Sequence, residues 1–289
     1  MEIKVLAPAK INLTLDIIGK RPDGYHNLET IMQTVSLYDT VTVTETDSGD
    51  ITVSCDKEGI PCDSTNIVYK AAKSFFKYTE TENRGIHIHI EKKIPSQAGL
   101  GGGSSDGAAV VLALNRLYDL RMKEEQLCEI CAPVGADVPF CLLGGTRLAR
   151  ETGTQTSAVR SLPKCKIVIC KPPVNVSTKE AYEKADRLPA KGAVITDLAV
   201  RSLYSMSMPQ ICSTLYNDFE VALKLEQVSA VKKIMYRHKA NGASMSGSGS
   251  AVFALFVSEK KAEKCAEALR KEYSEVFVAE PVKDGCKII

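Results

Sequence analysis

Four glycines in five positions, Gly99, Gly101, Gly102 and Gly103 around Leu100, set a narrow limit on what this chain can build. The run has few side chains to pack and admits positive φ, so its neighbours must fix its shape. Ahead of it, Ile86, Ile88 and Ile90 alternate with His87, His89 and Glu91, which predicts a half-buried strand. Behind Ser104, Ser105, Asp106 and Gly107, the run AAVVLALN from Ala108 to Asn115 predicts a helix. A glycine turn that opens a helix leaves first-turn amides without partners and adds the positive end of the helix dipole. A polyphosphate is the natural occupant of such a nest, with Ser104 and Ser105 as extra hydroxyl donors. No Gly-Lys-Ser/Thr follows, so the loop is not a Walker A motif, and its spacing does not fit a dinucleotide fingerprint.

The rest of the chain mixes strands and helices from end to end without an internal repeat. Strands are predicted over 3–18 (interrupted at Pro8), 31–38, 41–46, 51–55, 146–152, 166–171, 251–257 and 276–282. Helices are predicted over 66–78, 123–131, 178–188 and 260–273, with one long amphipathic helix over 218–238. Ser177 or Thr178 is the expected N-cap of the 178–188 helix. The polar stretch 153–164 reads as a boundary between two α+β halves, 1–158 and 159–289. A second small-residue segment, Gly242 to Ser250, is expected to pack against the first glycine loop or against a substrate.

Composition is that of an ordinary folded protein: 44% hydrophobic and 25% charged residues exclude disorder as the dominant state. A net charge of +2 gives no reason to expect a nucleic-acid or membrane binder. No apolar run approaches the ~20 residues of a membrane span, and residues 1–17 lack secretory or transit patterns, so a cytoplasmic location is expected. The ten cysteines are then reduced thiols, and Cys128 with Cys131 reads as two helical cysteines rather than a metal or redox pair. His87 and His89 share a strand face without a joining carboxylate or cysteine motif, and read as a solvated face.

Two charged groups stand out. Lys10 lies in the apolar strand APAKINL, either snorkelling outward or facing a site, with Asn12 on the same strand face. Asp137 lies between Gly135 and Pro139 in GADVPF, a fixed turn leading into apolar residues. A carboxylate there needs a partner, and Lys10 is a candidate.

Taken together, four ordered motifs resemble the GHMP kinase superfamily of galactose, homoserine, mevalonate and phosphomevalonate kinases. They are APAKINL near residue 10, RPDGYH ending at His26, GLGGGSS with GADVPF downstream, and the 242–250 segment. Within the superfamily they are most similar to members acting on a cytidine-diphosphate-linked methylerythritol. The resemblance implies an α+β, two-domain fold: an N-terminal GHMP domain with a left-handed crossover and a ferredoxin-like C-terminal domain. It implies transfer of the ATP γ-phosphoryl to the substrate's 2-hydroxyl, a step in making isoprenoid precursors, by a monomer or homodimer. It places Lys10 and Asp137 as the catalytic pair. The nucleotide falls to Asn66 and to Pro95, Ser96, Gln97, Ala98, Gly99, Leu100, Gly101, Gly102, Gly103, Ser104 and Ser105. Asn12, Tyr25, His26, Thr178 and Tyr182 fall at the substrate, Tyr25 and His26 on the cytosine ring. Ser96, Gln97 and Ala98 depart from the usual Met-Gly-Gly, and no side chain matches the acidic magnesium ligand of mevalonate kinases. Mg²⁺ is therefore expected on the ATP phosphates and water. The competing readings are a mevalonate- or sugar-type GHMP kinase and a non-catalytic nucleotide-binding member of the fold.

Overall fold

A computed structural model describes residues 1–189 and 193–289. The chain opens with two long antiparallel strands, β1 (Glu2–Lys20) and β2 (His26–Glu45). Proline has no N–H to give a ladder, and the expected interruption at Pro8 is instead a register shift between Pro8 and Ala9 within a continuous strand. The two strands expected over 31–38 and 41–46 are likewise one. Next come β3 (Ile51–Cys55), α1 (Ile67–Thr79) and β4 (Ile86–Glu91). β3 and β4 pair in parallel, so the chain through α1 is a crossover.

The glycine turn leads into α2 (Gly102–Leu117), which is followed by α3 (Glu124–Cys131) and α4 (Val138–Leu143). The expected fixed turn at Gly135–Phe140 is the entrance to α4: Asp137 is its N-cap and Pro139 sits in the first turn, where a missing N–H costs nothing. β5 (Thr146–Arg150) and β6 (Gln155–Ala158) then pair outward from β2.

The second half runs β7 (Lys166–Lys171), α5 (Thr178–Ala185), α6 (Ile195–Ser205), α7 (Met208–Ser213), β8 (Tyr216–Asn217), α8 (Asp218–Leu223) and α9 (Glu226–Arg237). It finishes with β9 (Gly242–Met245), β10 (Val252–Phe256), α10 (Glu259–Leu269), β11 (Glu275–Ala279) and β12 (Lys287–Ile288). The long helix expected over 218–238 is two. Lys224 turns left-handed at φ 49° and Leu225 is extended. Both pieces bury their apolar residues, Phe219, Leu223, Val228, Val231 and Met235, in one cluster, so the helical period runs across the break. Glu220 ties the short α8 to β9 by accepting from Met245 N at 2.8 Å.

β7, β9, β10 and β11 form an antiparallel sheet in the order β11-β7-β10-β9. Numbered along the chain that is 4-1-3-2 with helices after the first and third strands, the ferredoxin-like arrangement. The other eight strands form one sheet, with β12, β1, β2, β4 and β3 in line. The boundary expected at 158/159 falls between β6 and β7, yet β8 and β12 return to β1.

The sheets are joined by core. Ile11 and Ile31 of the first pack with Ile167, Ile169, Phe253 and Leu255 of the second. On the second sheet's far face, Val168, Cys170, Ala254 and Phe256 pack under α9 and α10 residues. With both faces covered, β7 and β10 read as continuous apolar runs. Among the described residues no helix is long and apolar enough to cross a membrane.

Phe253 is fully buried between the sheets. Phe253→Ala should cost about 3–5 kcal/mol, read as a lower urea midpoint in equilibrium unfolding. An unchanged midpoint would contradict this packing.

Candidate active site

The first glycine loop is shaped by what touches it. Gly101 caps α2 at φ 69°, a left-handed conformation, and a Cβ there would lie 2.8 Å from Lys10 Cγ. At Gly99 (φ 73°) a Cβ would fall 2.0 Å from the Ser246 carbonyl oxygen. The second small-residue segment therefore packs directly on the first. Its opening residues, Gly242–Met245, are strand β9, and only the remainder is loop. Ser246 Oγ donates to Gly99 O at 2.9 Å, and Ala251 N donates to Ala98 O at 3.1 Å. Asn217 holds the second loop from behind, giving Nδ2 hydrogens to Met245 O and Gly247 O at 2.8 and 2.9 Å.

The start of α2 has no side-chain cap, and its first turn has no acidic residue. Residues 95–104, which include the α2 start, line a cleft of about 1120 Å³, and the first-turn amides of a helix have no partner within it. Ser105 is not among the lining residues. It is fully buried, with its hydroxyl 3.9 Å from Cys286 Sγ on the other side of the helix. Asn66 lines the same cleft with Pro61 and Thr65, but its side chain has local work: Oδ1 caps α1 at Val68 N and Nδ2 donates to Pro61 O.

Lys10 and Asp137 meet in this cleft. Lys10 Nζ lies 3.3 Å from Asp137 Oδ2 and donates to Asn12 Oδ1 at 2.6 Å. Its backbone N donates to Leu100 O at 2.9 Å, so β1 carries both the lysine and one wall of the glycine loop. Lys10 is only 4% exposed, and its ammonium faces the cleft rather than snorkelling outward. Asn12 is fixed on three sides: N to Ser246 Oγ (3.2 Å), Nδ2 to Thr30 Oγ1 (2.8 Å), and Oδ1 to Lys10. Asp137 makes no side-chain cap bond to α4, which leaves its carboxylate free to face the cleft.

A second chamber of about 400 Å³ holds Tyr25, His26, Thr178 and Tyr182. It shares Thr152, Thr178 and Tyr182 with the first, so the two adjoin. His26 stacks on Tyr182, with ring centroids 4.5 Å apart and planes 14° from parallel. His26 Nε2 lies 2.6 Å from Asp186 Oδ1, and Lys20 Nζ lies 2.7 Å from Asp186 Oδ2. Lys20 first, then His26, hold the Asp186 carboxyl below the usual carboxylate range. Burial first, then the Asp137 charge, push the Tyr182 phenol up to about 12. Tyr25 is 67% exposed at the rim. Thr178 Oγ1 and Ser248 Oγ are 3.2 Å apart, which joins α5 to the second loop.

Asp186 and Lys20 were not foreseen. Asp186 is one helical turn from Tyr182, and that spacing is the signal that could have found it. A buried group of Lys92, Asp39 and Asp106 was also not foreseen. Lys92 Nζ contacts Asp39 and lies 2.7 Å from Asp106 Oδ2. Asp39 Oδ1 accepts from the Lys93 and Ile94 amides at 2.6 and 2.8 Å, whereas Asp106 Oδ1 is buried without a partner. One ammonium cannot fully compensate two buried carboxylates, and the one with a bare oxygen holds its proton more tightly. Burial pushes Asp106 up to about 7, against the pull of Lys92 and with the push of Asp39.

The GHMP kinases N terminal domain model matches residues 66–145, and the GHMP kinases C terminal model matches 205–275. The chain is 41% identical over 280 residues to the 4-diphosphocytidyl-2-C-methyl-D-erythritol kinase of Brevibacillus brevis, covering 96% of each chain. It is 40% identical over 289 residues to that of Clostridioides difficile, covering 99% of this chain and 97% of the relative. The chain belongs to the GHMP kinase family, among its 4-diphosphocytidyl-2-C-methyl-D-erythritol kinases. A crystal structure of a 4-(cytidine 5'-diphospho)-2C-methyl-D-erythritol kinase superposes with TM-score 0.80 at 32% identity, covering 97% of this chain and 98% of that one. Homoserine kinase from Cytophaga hutchinsonii shares the fold at TM-score 0.78 and 24% identity, with 100% and 97% coverage.

In this GHMP kinase, Lys10, Asn12, Tyr25 and His26 lie outside the segments the family models match, and the β1–β2 hairpin carries the first two to the cleft and the last two to the second chamber. Cys128 and Cys131 are free thiols on α3, and burial pushes both upward. His87 and His89 both bond Ser54 Oγ on β3.

Folded Asp106 keeps its proton to about pH 7, while an unfolded Asp loses it near 3.8. The folded state thus binds more proton between those values, and this group's contribution to stability falls as pH rises through that window. Asp106→Asn removes the dependence. The variant's calorimetric Tm, relative to wild type, should rise steadily from about pH 4 to about pH 7.5. A difference that stays level across that range would contradict the raised Asp106.

Proposed function

We propose that this chain transfers the γ-phosphoryl group of ATP to the 2-hydroxyl of 4-diphosphocytidyl-2-C-methyl-D-erythritol. The observation that carries the reading is one cleft lined by the α2 start and by the Lys10–Asp137 pair, adjoining a chamber with stacked aromatic rings. Similarity to the kinases named above supports the substrate. In this reading the triphosphate lies along 95–104 with its charge against the α2 amides, and Asn66 lies near the nucleoside. The cytosine lies in the second chamber with Tyr25, His26 and Tyr182, beside Thr178. Its diphosphate arm then points toward Asn12, Lys10 and Asp137.

Phosphoryl transfer needs alignment and charge stabilisation more than covalent help. Lys10, held by Asn12, positions the Asp137 carboxylate and faces the charge that builds on the transferring group. Asp137 accepts the hydroxyl proton as the oxygen bonds to phosphorus. A carboxylate is far too weak a base to ionise an alcohol beforehand, so the proton leaves late. Mg²⁺ fits as an ion carried by the nucleotide. Mg²⁺ takes phosphate and water oxygens readily. When bound it neutralises phosphate charge.

Asp137→Ala should lower turnover by about 10²–10⁴-fold while calorimetry still detects ATP binding. Near-normal ADP release would remove Asp137 from the mechanism. Tyr25→Ala should raise KM for the cytidine substrate well above any change in KM for ATP. Equal increases in both would count against a cytosine in the second chamber.

A further inference from the structure

Among the described residues the His26 ring is hydrogen-bonded on one edge only. Its Nε2 faces Asp186 at 2.6 Å, whereas none of the described residues partners its Nδ1, although the residue lines the second chamber. We infer that Asp186 is a positioning residue that sets the choice of pyrimidine. Anchored by Lys20, its carboxylate takes the Nε2–H of His26 and leaves Nδ1 as a bare acceptor toward the base. The inference rests on the cytidine reading of this chamber and adds the group that enforces it.

The protonation follows from the contacts. Two bare acceptors do not approach to 2.6 Å, so one of the pair carries the hydrogen. Asp186 Oδ2 is already engaged by the Lys20 ammonium at 2.7 Å, which favours the ionised carboxylate. The hydrogen therefore sits on Nε2. In a neutral imidazole the other nitrogen is then a lone pair, because the bond made at one ring nitrogen decides the state of the other.

The stack supplies the orientation. A base hydrogen-bonded edge-on to His26 lies in the imidazole plane, and that plane is 14° from the Tyr182 ring. Such a base continues the His26 stack across Tyr182, with Tyr25 at the open rim. α5 delivers both parts, since Tyr182 and Asp186 are four residues apart on one helix face. At the same ring position cytosine presents an amino group and uracil a carbonyl oxygen. Nδ1 accepts from the amine. Against the carbonyl it sets lone pair against lone pair and leaves two desolvated acceptors unpaired.

The test compares cytidine- and uridine-diphosphate-linked methylerythritol as substrates of wild type, Asp186→Asn and Asp186→Glu. It is joined to ¹⁵N NMR of the imidazole nitrogens, with His26 assigned by its loss in His26→Gln. In the resting wild type the His26 proton should sit on Nε2, and kcat/KM should favour cytidine. In Asp186→Asn the cytidine-to-uridine ratio of kcat/KM should fall about tenfold or more, mainly through KM, with KM for ATP unmoved and with proton density appearing on Nδ1. Asp186→Glu, which keeps the charge, should recover part of the ratio. An unchanged ratio in Asp186→Asn, or a wild-type proton on Nδ1, would overturn the inference. Wild type that turns over neither nucleotide would instead sink the cytidine reading, and the NMR arm would still decide the tautomer.

Discussion

Two backbones without intervening side chains meet where Gly99 lies against Ser246 and Gly247, and the rest of the site hangs on that contact. A Cβ at Gly99 would overlap the Ser246 carbonyl oxygen, and a Cβ at Gly247 would lie 2.9 Å from Gly99 O. No pair of larger residues could close that distance. Through it, the loop that opens α2 is bonded to the loop between β9 and β10, and so the eight-stranded sheet is bonded to the ferredoxin-like one. Asn12 extends the joint to β1 by donating its backbone N–H to Ser246 Oγ, the same hydroxyl that donates to Gly99 O.

Rigidity at that joint gives the chemistry its geometry. β1 carries Lys10 with its amide on Leu100 O, which ties the lysine to the glycine loop. Asp137 arrives from the other side as the N-cap of α4, with Pro139 in the first turn fixing the entry. The kinase reaction then needs no group to be made unusually reactive. The proposed reaction needs acceptor oxygen, phosphorus and leaving oxygen in line, with the carboxylate hydrogen-bonded to the acceptor hydroxyl, a geometry that preorganised contacts of this kind favour. The second chamber works differently. There the β1–β2 hairpin and α5 come together through a stacked ring pair and one carboxylate, and the role proposed for it is recognition.

Much of this was legible in the chain itself. The glycine run announced a helix start, and the alternation at Ile86–Ile90 and the apolar runs at 166–171 and 251–257 announced strands close to where they lie. Lys10 stood out because a cation in an apolar strand needs a reason. What stayed hidden has a common cause: it depends on contacts between distant segments. Pro8 bends a strand without ending it because a bulge absorbs the missing N–H. The break at Lys224 keeps the hydrophobic period intact, so periodicity could not reveal it. Ser105 resembles Ser104 in sequence, but the helix turns it toward Cys286 and away from the cleft. Asp186 and the Lys92 group are ordinary charged residues until folding sets them beside His26 and Asp39.

The claim beneath all of this is that the α2 amides and Asp137 serve a single reacting line. A crystal structure with a non-hydrolysable ATP analogue and the cytidine substrate bound together tests it most directly. The account requires the terminal phosphorus about 3–3.5 Å from the substrate's 2-hydroxyl oxygen, with that oxygen hydrogen-bonded to Asp137 and the phosphates on the amides of 101–104. A triphosphate seated elsewhere, or a hydroxyl out of reach of Asp137, would contradict it.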